Sequence, residues 1–173
     1  MLANLIHMKH LDEIKDIAQK VLMENGQHMA QLNVYGSKSS ALLAFADFPS
    51  DFDIKMRMML GAGAKVADGD KLGELEEVYF ISEVWMGGMI EKDDFKKGNF
   101  VMPRDNPDRQ EALMIVAQDL KNKGKPIMYP YMIKRSPKGD IMGLSAVDAT
   151  KNMEVDSPLL DAFVFGFDKA KGN

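Results

Sequence analysis

Side chains capable of acid–base or anion-binding chemistry concentrate at the end of a long apolar segment and in the connection after it. Glu83 and Trp85 end that segment, and about twenty residues then pass before the next apolar run. The last part of this connection supplies five charged residues, Arg104, Asp105, Asp108, Arg109 and Glu111. If the flanking segments pair as antiparallel strands, Glu83 comes within diagonal reach of Arg109 or Glu111. We therefore expect a carboxylate and guanidinium cluster at one end of a sheet.

Two interpretations of this cluster stay open. A carboxylate between apolar neighbours needs a partner, and arginine is the usual one. A functional cluster would bind a small anion or use paired carboxylates for acid–base chemistry. Its ligand-binding side chains would be Glu83, Trp85, Arg104, Asp108, Arg109 and Glu111. A structural ion-pair network that fixes the long connection is the more frequent arrangement, and we favour it.

A second motif is His7-x-x-His10-x-x-Glu13 near the start of the chain. Residues three apart on a helix are neighbours, so the two imidazoles can face one metal ion. Glu13 rotates well away from His7, which leaves the third ligand poorly placed. We therefore interpret these histidines as structural or surface residues and predict no metal and no cofactor.

Two glycine-containing segments look like ligand loops but lack the required pattern. Asp68–Gly73 begins like a calcium loop, yet Leu72 and Tyr79 occupy positions that need ligands. Gly61–Lys65 lacks the spacing of a phosphate loop and continues a helix instead of opening one. We expect Gly63 to face the core and to permit close packing against the sheet.

Composition excludes several classes of function. The chain has 173 residues, no cysteine and three histidines, the last of which is His28. It therefore has no disulfide, thiolate nucleophile or cysteine-ligated metal, and no Gly-x-Ser-x-Gly motif marks a hydrolase. The fifteen methionines are spread along the chain and fill the core. The length fits one domain, residues 1–173.

Charge and hydropathy indicate where the protein acts. The net charge of −4 disfavours nucleic acid, and the basic stretch Lys134–Lys138 fits a solvated turn. Residues Met1–Met8 have no positive segment and no apolar run of signal-peptide length, so we expect no signal sequence there, and no run of about 18 apolar residues could span a membrane. We expect a cytoplasmic protein that binds neither nucleic acid nor membrane.

Hydrophobic periodicity predicts the element order αββαββββα. The helices fall at about His7–Asn25, from a cap at Ser50 to Ala67, and from Pro158 onward. The strands fall at His28–Tyr35, Ala41–Phe48, Leu75–Met86, Arg109–Leu120, Pro126–Arg135 and Ile141–Val147. Short links make the sheet antiparallel, which predicts an α+β domain with one sheet of about five to six strands flanked by helices. The order resembles the profilin/roadblock-like arrangement with an extra strand.

Several elements carry more specific expectations. Gly26 suits the left-handed end of the first helix. Ala41–Phe48 is apolar almost throughout, which predicts a strand covered on both faces. Leu75–Met86 has apolar residues on both faces and should be central. Pro130 suits an edge strand or a bulge.

Three large apolar residues point away from the predicted core, namely Ile54, Met58 and Phe165. Exposed apolar residues that cluster indicate a partner surface. A symmetric homodimer is the simplest way to cover them.

Three segments resemble those of a group of small hypothetical α+β proteins from bacteria and archaea. They are Phe80–Met86, Asn106–Leu113 and Pro158–Phe163. In that group a Ser-Glu-x-Trp-Met strand end precedes a Pro-x-x-Asp-Pro-x-Arg turn. The resemblance implies that the cluster around Glu83 is a feature of the group, and it implies no activity and no residue role.

The sequence as a whole predicts a non-catalytic binding or protein-interaction module that forms a homodimer. The absence of a catalytic constellation and the off-core apolar residues favour this hypothesis. The alternative is an enzyme or a binder of small anionic ligands that uses Glu83 and the segment Arg104–Glu111.

Overall fold

The computed structural model describes residues 8–86, 97–98, 107, 109–147 and 154–172. Its elements, in chain order, are α1 (Leu11–Asn25), β1 (Ala30–Gly36), β2 (Ser40–Phe45), α2 (Phe52–Ala67), β3 (Leu75–Met86), β4 (Gln110–Asp119), β5 (Ile127–Arg135), β6 (Ile141–Ala146) and α3 (Pro158–Lys171). The predicted order αββαββββα is confirmed. The long connection predicted at Gly87–Asp108 lies outside the described residues except for residues 97, 98 and 107.

The six strands form one antiparallel sheet in the order β2-β1-β3-β4-β5-β6. The β1–β3 pairing joins the first hairpin to a meander formed by the other four strands. β3 lies inside the sheet and pairs with β4 from Glu77 opposite Asp119 to Met86 opposite Gln110. The α+β class and the central position predicted for Leu75–Met86 are therefore confirmed.

Helices cover both faces of the sheet, and successive residues of β3 point alternately into the two cores. Tyr79 and Ile81 pack with α1, whereas Val78 and Phe80 pack with α2 and α3. The apolar stripe of α1 is buried through Ile14, Ala18 and Leu22. No helix among the described residues is long and apolar enough to cross a membrane.

α2 and α3 approach each other closely because each has a glycine at their crossing. A Cβ at Gly63 would overlap with the carbonyl of Phe163, and a Cβ at Gly166 would overlap with the carbonyl of Leu60. The prediction that Gly63 packs against the sheet is therefore wrong, because its near neighbour is α3. A glycine on a helix face predicts a close approach without showing which element approaches.

The helix ends follow the sequence signals with small shifts. Gly26 ends α1 in the left-handed region with φ 74°, and Ser157 caps α3. α2 is capped by the Asp51 carboxylate instead of the predicted Ser50. Aspartate and serine are equally good caps, so two adjacent candidates cannot be ranked by type alone.

β2 differs from its prediction in length and in burial. It ends at Phe45, and it is the outermost strand of the sheet. Ala41 and Leu43 pack toward the α2 core, whereas Leu42 is 62% exposed on the other face. The prediction that this segment is covered on both faces is therefore wrong, because none of the three described helices packs on the second face of β2.

Pro130 lies in β5, which is an interior strand, so the prediction of an edge strand is wrong. The register shift of β5 falls at Lys134 and Arg135, away from the proline. The Pro130 carbonyl accepts a hydrogen bond from the Val147 N–H at 3.1 Å, just past the end of β6. The N and O of one residue point to the same side in antiparallel strands, so the proline nitrogen also faces this end. The missing N–H therefore costs no bond to β4.

Candidate functional site

The predicted Glu83 cluster lies on the α1 face of the sheet. Trp85 is directly opposite Glu111 in the register of β3 and β4, which makes Glu83 and Glu111 diagonal neighbours on one face. The Arg109 guanidinium lies 4.6 Å from the centre of the Trp85 ring, a cation–π distance. Three predicted members lie outside the described residues, namely Arg104, Asp105 and Asp108.

The arginine that pairs with these carboxylates is Arg135 of β5. Its Nε and Nη2 donate to the two Glu111 oxygens, each at 2.6 Å, and Nη2 also lies 3.7 Å from Glu83 Oε1. Nη1 donates to the carbonyls of Gly26 at 3.2 Å and Gly139 at 3.0 Å, and Nη2 donates to that of Gly26 at 3.3 Å. Every N–H of this guanidinium therefore has an acceptor in the protein, and none is left for a bound anion.

The electrostatics of Glu83 differ from those of Glu111. Burial raises the pKa of the Glu83 carboxyl, and the hydrogen bond from the His28 N–H at 3.3 Å only partly opposes this effect. The Glu111 carboxylate raises the pKa of Glu83 further, and Arg135 lowers it. A cavity of about 260 Å³ lies beside Glu83, between His28 and Phe45. The cluster thus combines a bidentate ion pair, Arg135 with Glu111, and a second carboxylate, Glu83, whose burial is only partly offset.

His28 lies against this cavity and was not singled out from the sequence. Its Nδ1 is 2.7 Å from the Met29 carbonyl, so Nδ1 carries the proton and Nε2 is an acceptor. Nε2 is buried and has no hydrogen-bond partner among the described residues. Burial lowers the pKa of His28, which keeps the ring neutral.

A polar cavity of about 570 Å³ lies at the N-terminal end of α1, and sequence reasoning missed it. Its walls come from the start of α1, the β1–β2 turn and the adjoining ends of β3 and β4. Two buried carboxylates, Glu77 and Asp119, face each other across the β3–β4 pair. Asp119 accepts hydrogen bonds from Asn122, through its N–H at 3.1 Å and its Nδ2 at 2.7 Å. We call this site the His10 cavity.

Glu77 is the best-satisfied carboxylate of the His10 cavity. It accepts from the Lys9 N–H at 2.7 Å, the His10 N–H at 3.2 Å, His10 Nδ1 at 2.9 Å and the Tyr79 hydroxyl at 2.6 Å. Burial by itself raises the pKa of Glu77, but these hydrogen bonds outweigh it and hold the pKa below its usual value. Burial and the Glu77 contact raise the pKa of Tyr79, which stays protonated.

The sequence treated His10 only as a possible metal ligand. The structure pairs it with Glu77, 67 residues away, and not with Glu13. His7 lies outside the described residues. No group of three or more histidines, aspartates and glutamates within the described ranges has an arrangement that could hold a metal ion.

The three predicted interface residues belong to two helices. Ile54 and Met58 are one turn apart on the same face of α2, and Ile54 is exposed. Phe165 is exposed on α3, where Lys169 Nζ lies 5.9 Å from its ring centre. Met58 lines a groove of about 610 Å³ between α2 and β2. Met58 therefore lies beside the edge strand β2.

Comparison of the chain with protein-family models, with curated proteins and with solved structures found no match. The resemblance to small bacterial and archaeal proteins, and the profilin/roadblock-like analogy, therefore stay predictions. Function has to be inferred from the sites, because a fold alone does not define one.

Proposed function

We propose that the protein is a non-catalytic interaction module that forms a homodimer through the open edge of its sheet. In this dimer, β2 of one copy pairs antiparallel with β2 of the other. The observation that carries the proposal is the composition of β2, which has no charged residue and no proline from Ser40 to Phe45. Soluble proteins usually protect an edge strand with charge, proline or a bulge, and an unprotected edge is suited to strand addition.

The hydrogen-bonding pattern leaves one set of β2 backbone groups open. The Gly36 N–H donates to the Ser39 carbonyl at 2.8 Å, which starts the β1–β2 ladder with a bonded pair. Bonded and unbonded pairs alternate from there, so the outward N–H and C=O groups belong to Ser40, Leu42 and Ala44. A two-fold register centred on Leu42 pairs Ser40 with Ala44 and uses all of these groups.

The groove between α2 and β2 adds apolar surface next to the open strand. It is lined by Ala41, Leu42, Leu43, Ala44, Phe45, Met58, Gly61, Ala62, Lys65 and Val66. Ile54 extends the same face of α2 by one turn. A second copy seated on the edge would cover this apolar surface, which a monomer exposes to water.

The anion-binding alternative at Glu83 and Arg104–Glu111 gains less support from the geometry. Arg135 has no free donor, and its bonds join β4, β5 and the end of α1. This arrangement favours the structural interpretation of the cluster.

Leu42→Lys tests the proposed dimer. The substitution would place two charges opposite each other at the centre of the pair, so the variant should be monomeric where the unchanged protein is dimeric. Met142→Lys is the matched control, because Met142 is 64% exposed on β6 at the other edge of the sheet. The measurement is light scattering during size exclusion at high micromolar protein. A monomeric unchanged protein, or a dimer that survives Leu42→Lys, would contradict the proposal.

A further inference from the structure

We propose that Asn25 is a modification site, where intramolecular deamidation converts the carboxamide to a carboxylate at a rate set by opening of the end of α1. Asn25-Gly26 is the only Asn-Gly pair in the sequence. Asparagine is a chemically labile residue, and a following glycine leaves its backbone nitrogen accessible because glycine has no Cβ. Both residues are exposed, and the Asn25 carboxamide has no hydrogen bond to a described residue.

The reaction needs only hydroxide and water. Hydroxide removes the proton of the Gly26 N–H, and the nitrogen attacks the carbonyl carbon of the Asn25 side chain. A new N–C bond closes a succinimide ring while the bond from that carbon to the carboxamide nitrogen breaks. The carboxamide nitrogen takes a proton from water and leaves as ammonia, which restores the hydroxide. A second water opens the ring at either carbonyl, so residue 25 becomes aspartate or isoaspartate.

The folded end of α1 restrains this reaction. The Gly26 N–H donates to the Leu22 carbonyl at 2.8 Å, so hydroxide cannot remove its proton until this hydrogen bond opens. The bond closes the helix, with Gly26 in the left-handed region at φ 74°. Opening of this bond therefore controls deamidation in the folded protein, as it controls exchange of the amide hydrogen.

Arg135 holds the closed form from outside the helix. Its Nη1 and Nη2 donate to the Gly26 carbonyl at 3.2 Å and 3.3 Å. The next contact with the sheet is the His28 N–H, which donates to Glu83 at 3.3 Å. Hydrogen bonds to a charged group are among the stronger ones in proteins. The reactivity of Asn25 therefore depends on a side chain of β5 that does not touch the reacting atoms.

The product weakens the contacts that restrain the reaction. A carboxylate at residue 25 places negative charge at the C-terminal end of α1, next to Glu24, where the helix dipole is already negative. Isoaspartate also adds a methylene to the backbone before Gly26, which moves the Gly26 carbonyl relative to Arg135. Because ammonia is lost, each event converts the closed end of α1 irreversibly into a more open one.

Mass spectrometry of proteolytic peptides measures the reaction in the folded protein and in denaturing urea, both at mildly alkaline pH. The peptide that contains residue 25 should show the mass change from amide to acid, with aspartate and isoaspartate forms separated by chromatography. The folded protein should react more slowly than the unfolded chain by about tenfold or more. Asn33, which is buried in β1 and precedes a valine, is the internal control and should stay unchanged.

Arg135→Lys tests the restraint directly. Loss of the guanidinium bonds to the Gly26 carbonyl should raise the deamidation rate of the folded protein about tenfold. Lys134→Gln, at the exposed neighbouring residue, should leave the rate unchanged. Gly63→Ala should also leave it unchanged, because this substitution strains the α2–α3 crossing and not the end of α1. Thermal unfolding shows whether each variant is folded.

Hydrogen exchange of the Gly26 amide provides a second test that needs no variant. The fraction of time that this amide is open should equal the ratio of the folded to the unfolded deamidation rate. Equal rates in the folded and unfolded protein, or no reaction at Asn25 in either, would overturn the proposal. So would an unchanged rate in folded Arg135→Lys, or an equal increase in Gly63→Ala, which would indicate global unfolding.

Discussion

Arg135 shows how one side chain joins distant parts of the chain. Its bidentate pair with Glu111 links β5 to β4, and its bonds to the Gly26 and Gly139 carbonyls reach the end of α1 and the turn after β5. Because the guanidinium is planar and presents five donors in a fixed geometry, lysine could not replace it here. At the opposite end of α1, Glu77 has a similar role for His10 and Tyr79.

Two glutamates of β3, the buried Glu77 and the half-buried Glu83, should respond to acid in opposite ways. The pKa of Glu77 in the folded protein lies below its usual 4.5, so its contribution to stability is present above pH 4.5 and is lost as the pH falls through the folded pKa. Glu77→Gln should therefore cost most stability near neutral pH and progressively less in acid. The measurement is urea unfolding between about pH 7 and pH 3.

Glu83→Gln is the comparison with the opposite sign. The pKa of Glu83 is raised by burial, so its contribution is present below the usual 4.5 and is lost as the pH rises through the folded pKa. As the pH falls, the free energy of unfolding of the unchanged protein should therefore increase relative to that of the Glu83→Gln variant. If the free energies of unfolding of the two variants changed with pH in the same way, the assigned hydrogen bonds and burial would not control the pKa values of these carboxyls.

The sequence predicted part of the Glu83 cluster and missed the His10 cavity. Alternation and pairing place Glu83, Trp85 and Glu111 on one face, and the structure brings them together. Arg135 was missed because its place depends on the β4–β5 register, which the spacing of residues does not reveal. The His10–Glu77 pair joins residues 67 positions apart, and a buried glutamate in an apolar strand was its only local signal.

At the scale of elements, the crossing of α2 and α3 depends on two glycines. Gly63→Ala should destabilise the protein by about 1–3 kcal/mol, because the added methyl overlaps with the α3 backbone. Gly61→Ala is the matched control in the same helix, since nothing lies within 4 Å of its Cβ position. That substitution should stabilise by up to about 1 kcal/mol through helix propensity. Urea unfolding measures both, and equal effects would contradict the crossing described here.

The order of helices and strands along the chain could be predicted from local sequence patterns. The position of each strand within the sheet could not. The apolar stripe of α1 and the two-sided apolar run of β3 predicted buried elements, and both are buried. Ala41–Phe48 looked equally apolar, but its strand β2 lies at the edge of the sheet. The apolar pattern of a strand does not show which strands become its neighbours. Pro130 looked like an edge signal but is accommodated at the end of β6.

At the scale of the whole molecule, the three described helices leave one part of the sheet uncovered. α1 covers one face and packs with β3 to β6, α2 and α3 cover the other face, and the outer face and edge of β2 carry the exposed Leu42. This exposed edge has no charge to oppose pairing. The proposed self-association through β2 depends on this uncharged, exposed edge.

Cross-linking through a single introduced cysteine reports on the proposed β2 pairing alone, because the chain has no cysteine of its own. In a two-fold pair centred on Leu42, the two Leu42 Cα atoms would lie about 5.5 Å apart, a distance that a disulfide can bridge. Under mild oxidation, Leu42→Cys should form a covalent dimer much faster than Met142→Cys, which is equally exposed at the other edge. Equal rates for the two variants, or no covalent dimer from Leu42→Cys, would contradict the proposed β2 pairing.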